Sequence, residues 1–274
     1  MAPRRIAHLS DIHFGHIEQP GVVDAVVAEI NAHPPDLVVL SGDLTQRARI
    51  GQFKEAREFI DRIATPVLAV PGNHDVRAWW HHPVERVFRH AARFHRYIDP
   101  EETPCFTADG LAVFGLDSSH GLTIKGGMVR TRHLLEMEAF FQRAAPADFR
   151  VLVLHHHLLR LKALGAHDVA RNARMALMAA RRAGVDVVLC GHLHTSHVAH
   201  VEVAPPTASD PGHRLVVAAA GTATSSRGRG ADRLVNFYNE IEIYGDRFTV
   251  AERRYDAEEG AFALERTSEF QRVA

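Results

Sequence analysis

The stretch DLVVLSGDLTQRARIGQFKEAREFIDRIATPVLAVPGNHD, residues 36 to 75, decides the fold class. DLVVLSG (36 to 42) is a short apolar run rich in Val and Leu, the pattern of a buried strand. FKEAREFIDRIA (53 to 64) repeats apolar residues at spacings of three and four, which predicts an amphipathic helix. TPVLAVPG (65 to 72) returns to the strand pattern. The result is a strand–helix–strand unit with polar residues just past each strand: Asp43 after the first, and Asn73, His74 and Asp75 after the second. Open α/β sheets place their chemistry at such strand ends.

The alternation continues on both sides. IAHLS (6 to 10), LAVFGLD (111 to 117), RVLVLH (150 to 155) and VDVVLCG (185 to 191) read as further buried strands. VVDAVVAEINA (22 to 32), TRHLLEMEAFFQRA (131 to 144) and VARNARMALMAARRAG (169 to 184) read as helices, the last ending on Gly184. After Gly191 come strands without helices: SHVAHVEV, HRLVVAAAG, RLVNFYNEIEIYG and DRFTVAERRYD, with a hairpin turn at Gly245-Asp246. Residues 197 to 256 are therefore expected to form an antiparallel meander. The predicted class is α/β, with two sheets packed face to face, helices outside, and one domain spanning residues 1 to 274. Residues 76 to 104 hold a lid-like helix rich in His, Arg and aromatics. Residues 204 to 213 read as a surface loop, and residues 221 to 233 as a Gly/Ser/Arg loop that either meets a phosphate or stays mobile.

Composition removes several classes of function. The 274 residues are 46% hydrophobic, enough for a packed core, and 32 basic against 33 acidic side chains leave no field for a long nucleic acid. Two cysteines, Cys105 and Cys190, make neither a disulfide framework nor a thiolate zinc site, and are expected to be inert and buried. The start MAPRRIAHLSD runs straight into the first strand, and no apolar stretch approaches membrane-spanning length, so a cytoplasmic protein is expected. Twenty histidines are the one anomaly. Most stand alone on polar or helical segments and are read as facing water.

The exceptions cluster at strand ends. Asp11 and His13 in LSDIHFG are two residues apart, as are His192 and His194 in CGHLHT, and in extended backbone that period sends both side chains to one side. This mixture of carboxylate and imidazole suits Mn, Fe, Zn or Ni rather than Mg or Ca alone. Asp43 can use both carboxylate oxygens to bridge two cations, and Asn73 adds a neutral carbonyl oxygen. With His155 in VLVLHHH, seven ligand-type residues in five blocks describe a two-metal hydrolytic site.

D-x-H, G-D, G-N-H-D, a His-His strand end and G-H-x-H, in this order, resemble the calcineurin-like metallophosphoesterase superfamily. HLSDIH, GDLT, PGNHD and GLDSS (115 to 119) are similar to its bacterial cyclic-nucleotide and glycerophosphodiester phosphodiesterase group. The resemblance covers about the first two-thirds of the chain. It implies an αββα fold, with the C-terminal meander in its second sheet. It also implies one metal on Asp11, His13 and His194, another on Asn73, His155 and His192, and Asp43 between them. His74 is implied to meet the scissile phosphate or leaving oxygen, with Asp75 as its orienting partner or as a helix N-cap. The sequence departs from the usual His-His-Pro-Pro with His157-Leu158-Leu159 after His155-His156, and strand-end position favours His155 over His156 as ligand.

The expected activity is hydrolysis of a small phosphodiester, a cyclic nucleotide or a glycerophosphodiester, by in-line attack of a metal-bridging hydroxide. Two metal ions, Mn, Fe or Zn, are the expected cofactors, and a small phosphoester is the expected partner, without long nucleic acid or membrane. A homo-oligomer is left open. Alternatives are a phosphomonoesterase or nucleotidase on the same site, and a non-catalytic scaffold. Trp79 and Trp80 are read as packing or dimer contacts rather than base-stacking groups, and Arg227 and Arg229 as solvated rather than as phosphate clamps.

Overall fold

Strands that read as unbroken apolar runs are covered on both faces. The computed structural model describes residues 3–17, 19, 21–77, 89–120, 126–160, 167–202, 214–228 and 234–272. Its elements in chain order are β1 (Arg4–Leu9), α1 (Val22–Ala32), β2 (Leu37–Leu40), α2 (Ile50–Asp61), β3 (Val67–Ala69), α3 (Ala92–Tyr97), β4 (Cys105–Ala108), β5 (Leu111–Gly115), α4 (Thr131–Arg143), β6 (Phe149–Val153), α5 (Ala173–Arg182), β7 (Val187–Cys190), β8 (His197–Glu202), β9 (Arg214–Ala219), β10 (Phe237–Tyr244), β11 (Arg247–Asp256) and β12 (Ala261–Gln271). They form two six-stranded mixed sheets, in the orders β12-β11-β10-β1-β2-β3 and β4-β5-β6-β7-β9-β8.

Alternate residues of each strand enter different layers. Ile6, Leu37 and Val39 from the first sheet meet Val113, Val151, Leu189 and Val216 from the second in a core between the sheets. Their neighbours Leu9, Val38 and Leu40 face outward against Val26 and Ile30 of α1 and Phe53 and Phe59 of α2. On the far side Phe114, Leu152 and Val188 pack against Met137 and Phe141 of α4 and Ala176 and Ala180 of α5. The expected αββα layering is thus present. Among the described residues no helix is long and apolar enough to cross a membrane.

The single C-terminal meander is corrected. β8 and β9 pair antiparallel but belong to the second sheet, where β9 runs parallel to β7. Only β10, β11 and β12 form a meander, and they extend the first sheet, not the second, through the β1–β10 pair. Apolar alternation tells which face a residue takes but not which strand lies beside it. Ala218 of β9 and Ile241 of β10 enter the same core layer from opposite sheets. The turn at Gly245-Asp246 does close the β10–β11 hairpin, between Tyr244 and Arg247.

Three smaller differences have local causes. α2 starts at Ile50 because the Gln52 side chain accepts the backbone N–H groups of Arg47 and Arg49, at 3.0 and 3.3 Å, which caps the first turn. The described part of the lid-like segment, α3, is a packed element: Phe94 is fully buried and Tyr97 stacks on Phe53 of α2. Cys190 is buried as expected, but Cys105 is exposed on the edge strand β4. Trp79, Trp80, Arg229 and the loop 204 to 213 lie outside the described residues.

Candidate metal centre

Parallel strands β1, β2 and β3 of one sheet and β5, β6, β7 and β9 of the other end at the same edge of the molecule. The loops that leave them are sewn together. His192 N–H donates to Asp11 Oδ2 at 2.9 Å, the His155 ring donates Nδ1–H to the Ser41 carbonyl at 2.8 Å, and Thr222 Oγ1 donates to the Asp11 carbonyl at 2.8 Å.

The paired ligand-type residues do not reach this edge by strand alternation. Asp11, His13, Asp43, His192 and His194 all have positive φ, between 54° and 75°, so the chain leaves each strand in left-handed turns. Extended geometry is therefore the wrong reason for the shared side. A left-handed non-glycine residue costs about 1–3 kcal/mol, so five of them mark a site held in place by the surrounding fold. Gly72 and Gly191 are required by close approach. A Cβ on Gly72 would lie 2.1 Å from Asp43 Oδ1, and one on Gly191 would lie 1.8 Å from Ser10 Oγ.

Each carboxylate is half used. Asp11 Oδ2 takes the Ser10 hydroxyl and the His192 amide, leaving Oδ1 3.2 Å from His194 Nε2 and 3.6 Å from His13 Nε2. Asp43 Oδ1 accepts the His74 amide at 2.7 Å, which leaves Oδ2 alone, 3.3 Å from His155 Nε2 and 3.8 Å from His13 Nε2. The expectation that both Asp43 oxygens bridge is corrected: one oxygen faces both groups. Asn73 Oδ1 lies 2.9 Å from His192 Nδ1.

Two candidate metal-binding clusters result. Asp11, His13, Asp43 and His194 bring one ligand atom each within 4.8 Å of one another, and so do His155, His156 and His192. The residues fit cations on a further observation: Asp11 Oδ1, both ring nitrogens of His13, Asp43 Oδ2 and His155 Nε2 are buried without a hydrogen-bond partner. Buried polar atoms are seldom left so, and together these atoms are a donor set for imidazole- and carboxylate-seeking ions.

Burial works against charge on both carboxylates, yet the histidines outweigh it. Against that burial, Asp11 is held well below the usual carboxylate range chiefly by His194, and Asp43 likewise by His155. Burial alone would lower His155, but Asp43 overrides it and raises the ring to about 9. Burial lowers His192 to about 3, reinforced by His155, and lowers His194 to about 4 against the pull of Asp11. The centre is an ionised carboxylate pair among imidazoles that cannot all be protonated.

His74 and Asp75 are held by different contacts, and only Asp75 departs from the implied pairing. The His74 ring is fixed by Nδ1 on the Gln46 carbonyl at 2.8 Å and stands edge-on to His13, with centroids 4.9 Å apart. Asp75 does not orient that ring. Its carboxylate accepts the amides of Leu44, Thr45 and Gly72 and the Thr45 hydroxyl, tying the loop after β2 to the loop after β3. Burial, and then the Asp43 charge, raise it to about 6. Arg227 offers its carbonyl to His194 Nδ1 at 3.0 Å, while its guanidinium donates to Gln46 Oε1 at 3.1 Å.

Sequence reading missed a polar network beside the second cluster. Buried Asp117 of GLDSS binds His90 at 2.6 Å and Arg130 at 3.5 Å, and Ser118 binds His156. Burial would raise Asp117, but the His90 bond brings it down to about 2. The only signal was GLDSS itself, since Arg130 and His90 lie on other segments.

Converging strand ends that carry half-used carboxylates and unpartnered imidazoles define a metallohydrolase-type centre. The chain belongs to the calcineurin-like phosphoesterase family, whose profile matches residues 4–196, and is a phosphoric ester hydrolase. It is 27% identical over 286 residues, covering 94% of this chain and 89% of the relative, to a "Probable cyclic nucleotide phosphodiesterase" of Rhodococcus erythropolis. It is 26% identical over 188 residues, 67% of this chain and 66% of the relative, to a "Probable glycerophosphodiester phosphodiesterase" of Arcobacter nitrofigilis. Among solved structures, a dimetal phosphatase from Danio rerio shares the fold with a TM-score of 0.66 at 13% identity, over the full length of both chains.

Proposed function

We propose that this protein is a dinuclear-metal phosphodiesterase acting on small diesters. The observation that carries the reading is Asp43 Oδ2, a single free oxygen facing His13 Nε2 on one side and His155 Nε2 on the other. Asp11, His13, Asp43 and His194 would hold one cation, and Asp43, Asn73, His155 and His192 the other. When bound, such a pair makes a nucleophile available from water at neutral pH and balances charge developing on phosphoryl oxygens.

The protein's own residues do the rest. His74 keeps Nδ1–H on the Gln46 carbonyl, so Nε2 is the free ring atom: in the imidazolium form it would give its proton to the leaving oxygen and revert to the neutral ring with its one hydrogen on Nδ1. Asp75 holds the loops that carry Asp43 and His74 at a fixed separation. Two arginines near the centre are engaged, Arg227 with Gln46 and Arg130 with Asp117. A monoester dianion carries one more negative charge than a diester and calls for an added cationic clamp, so these engagements favour a diester. The names of the two relatives point to a cyclic nucleotide or a glycerophosphodiester.

Metal analysis of Asp43→Ala, beside turnover of a chromogenic diester and its monoester with Mn²⁺ supplied, tests the reading. Loss of bound metal together with activity, and higher wild-type kcat/KM on the diester, are expected. Near-wild-type turnover by Asp43→Ala at limiting metal would end the two-metal reading. Equal or better monoester hydrolysis would end the diester one.

A further inference from the structure

One imidazole in the centre belongs to neither proposed ligand set. His156 is buried, its ring centroid is 4.9 Å from that of His155 and 4.7 Å from that of His192, and its Nε2 has no partner. Its ring is held by a hydrogen bond and by close packing. Ser118 Oγ lies 2.9 Å from Nδ1, and a Cβ on Gly127 would stand 2.3 Å from His156 Cγ, so the ring occupies space that only a glycine at 127 leaves open.

The hydrogen-bond pattern assigns the tautomer. Ser118 Oγ already accepts the His156 backbone N–H at 3.3 Å. When its hydroxyl proton is given to Nδ1, the serine donor is satisfied and the neutral ring carries its own proton on Nε2. The reverse tautomer leaves the buried serine proton without an acceptor among the described residues, a costlier arrangement. An Nε2–H cannot ligate a cation, but it can donate to an anionic oxygen. Nitrogens of His155, His156 and His192 lie within 4.8 Å of one another, so an oxygen held beside the first and last is in reach of the second.

Resting on the proposed function, we infer that His156 is a substrate-binding donor: Nε2–H hydrogen-bonds a phosphoryl oxygen at the second-cation side, and Ser118 positions it. This gives the second histidine of VLVLHHH a role distinct from that of the first.

The test uses full-length, Mn²⁺-loaded protein and its His156→Ala, His156→Gln and Ser118→Ala variants. Manganese per chain, orthophosphate affinity by calorimetry and kcat/KM on a chromogenic diester are measured. A glutamine amide N–H mimics Nε2–H. His156→Ala should therefore keep both metals, bind phosphate about 10-fold more weakly and lose about 10- to 100-fold in kcat/KM, with His156→Gln recovering about 10-fold. Ser118→Ala, which frees the tautomer, should weaken phosphate binding by a smaller factor of about 3. Loss of one manganese from His156→Ala would make it a ligand and overturn the proposal, as would phosphate affinity within about 2-fold of wild type in that variant. If the wild type hydrolyses no ester, the proposed function fails, while the phosphate arm still decides the role of His156.

Discussion

Gly72→Ala is the smallest change that should disable this centre. The added methyl would lie 2.1 Å from Asp43 Oδ1 and 2.4 Å from the Asp43 backbone nitrogen. Ordinary contact is about 3.5 Å, so the two loops must part by roughly 1 Å. No rotamer relieves a clash with a backbone atom, and Asp43 Oδ1 is also pinned by the His74 amide. The expected stability cost is that of overpacking, about 1–3 kcal/mol, or roughly 2–4 °C in Tm per kcal/mol for a chain of this size. A displacement of about 1 Å at a catalytic centre costs about 100-fold in rate. Gly51→Ala is the control. It lies in α2 with nothing within 4 Å of its Cβ, and should stabilise by about 0.5–1 kcal/mol. Bound metal, Tm and diester kcat/KM are measured on both variants. Gly72→Ala with wild-type metal content, Tm and activity within about 3-fold would refute the claim that this close approach sets the position of Asp43.

His74→Ala should keep its metals and lose about 10²- to 10⁴-fold in rate, most on poor leaving groups; loss of metal would make His74 a ligand. Arg227→Ala keeps the carbonyl that holds His194 and should cost less than about 5-fold in kcat/KM, whereas a drop of about 100-fold would mark its guanidinium as a phosphate clamp. Burial lowers His8 and His157 to about 3 from an ordinary 6.5. Between those values the unfolded chain binds protons that the folded chain does not, so stability should fall as pH drops below 6.5. The slope is about 1.4 kcal/mol per pH unit for each ring, and His8→Gln should flatten it by one proton in denaturant titrations. An unchanged slope would mean that His8 does not fold as the neutral ring bonded to Ser41 and Asn239.

Local pattern carried most of the secondary structure. The runs at 36 to 42, 65 to 72 and 150 to 155 became β2, β3 and β6 because strands buried on both faces must be apolar throughout. β12 was invisible for the opposite reason. On the edge of its sheet it needs only an occasional buried residue, such as Phe262 and Phe270, and ALERTSEF has no strand signature. The seven ligand-type positions were readable as residue types after strands, and the structure gathers all seven at one edge.

What sequence cannot express is anything set by partners far along the chain. Whether β9 lies beside β7 or β10 depends on backbone hydrogen bonds between segments that alternation leaves equivalent. That Asp43 keeps one free oxygen follows from the His74 amide 31 residues away, and that His156 presents Nε2–H follows from Ser118 38 residues away. The left-handed turns at Asp11, His13, Asp43, His192 and His194 oppose the local preference of those residues. They persist because the packed strand ends and the hydrogen bonds between loops outweigh it. Composition and spacing thus determine which chemical groups reach the strand ends, while tertiary contacts decide which atoms of those groups remain free.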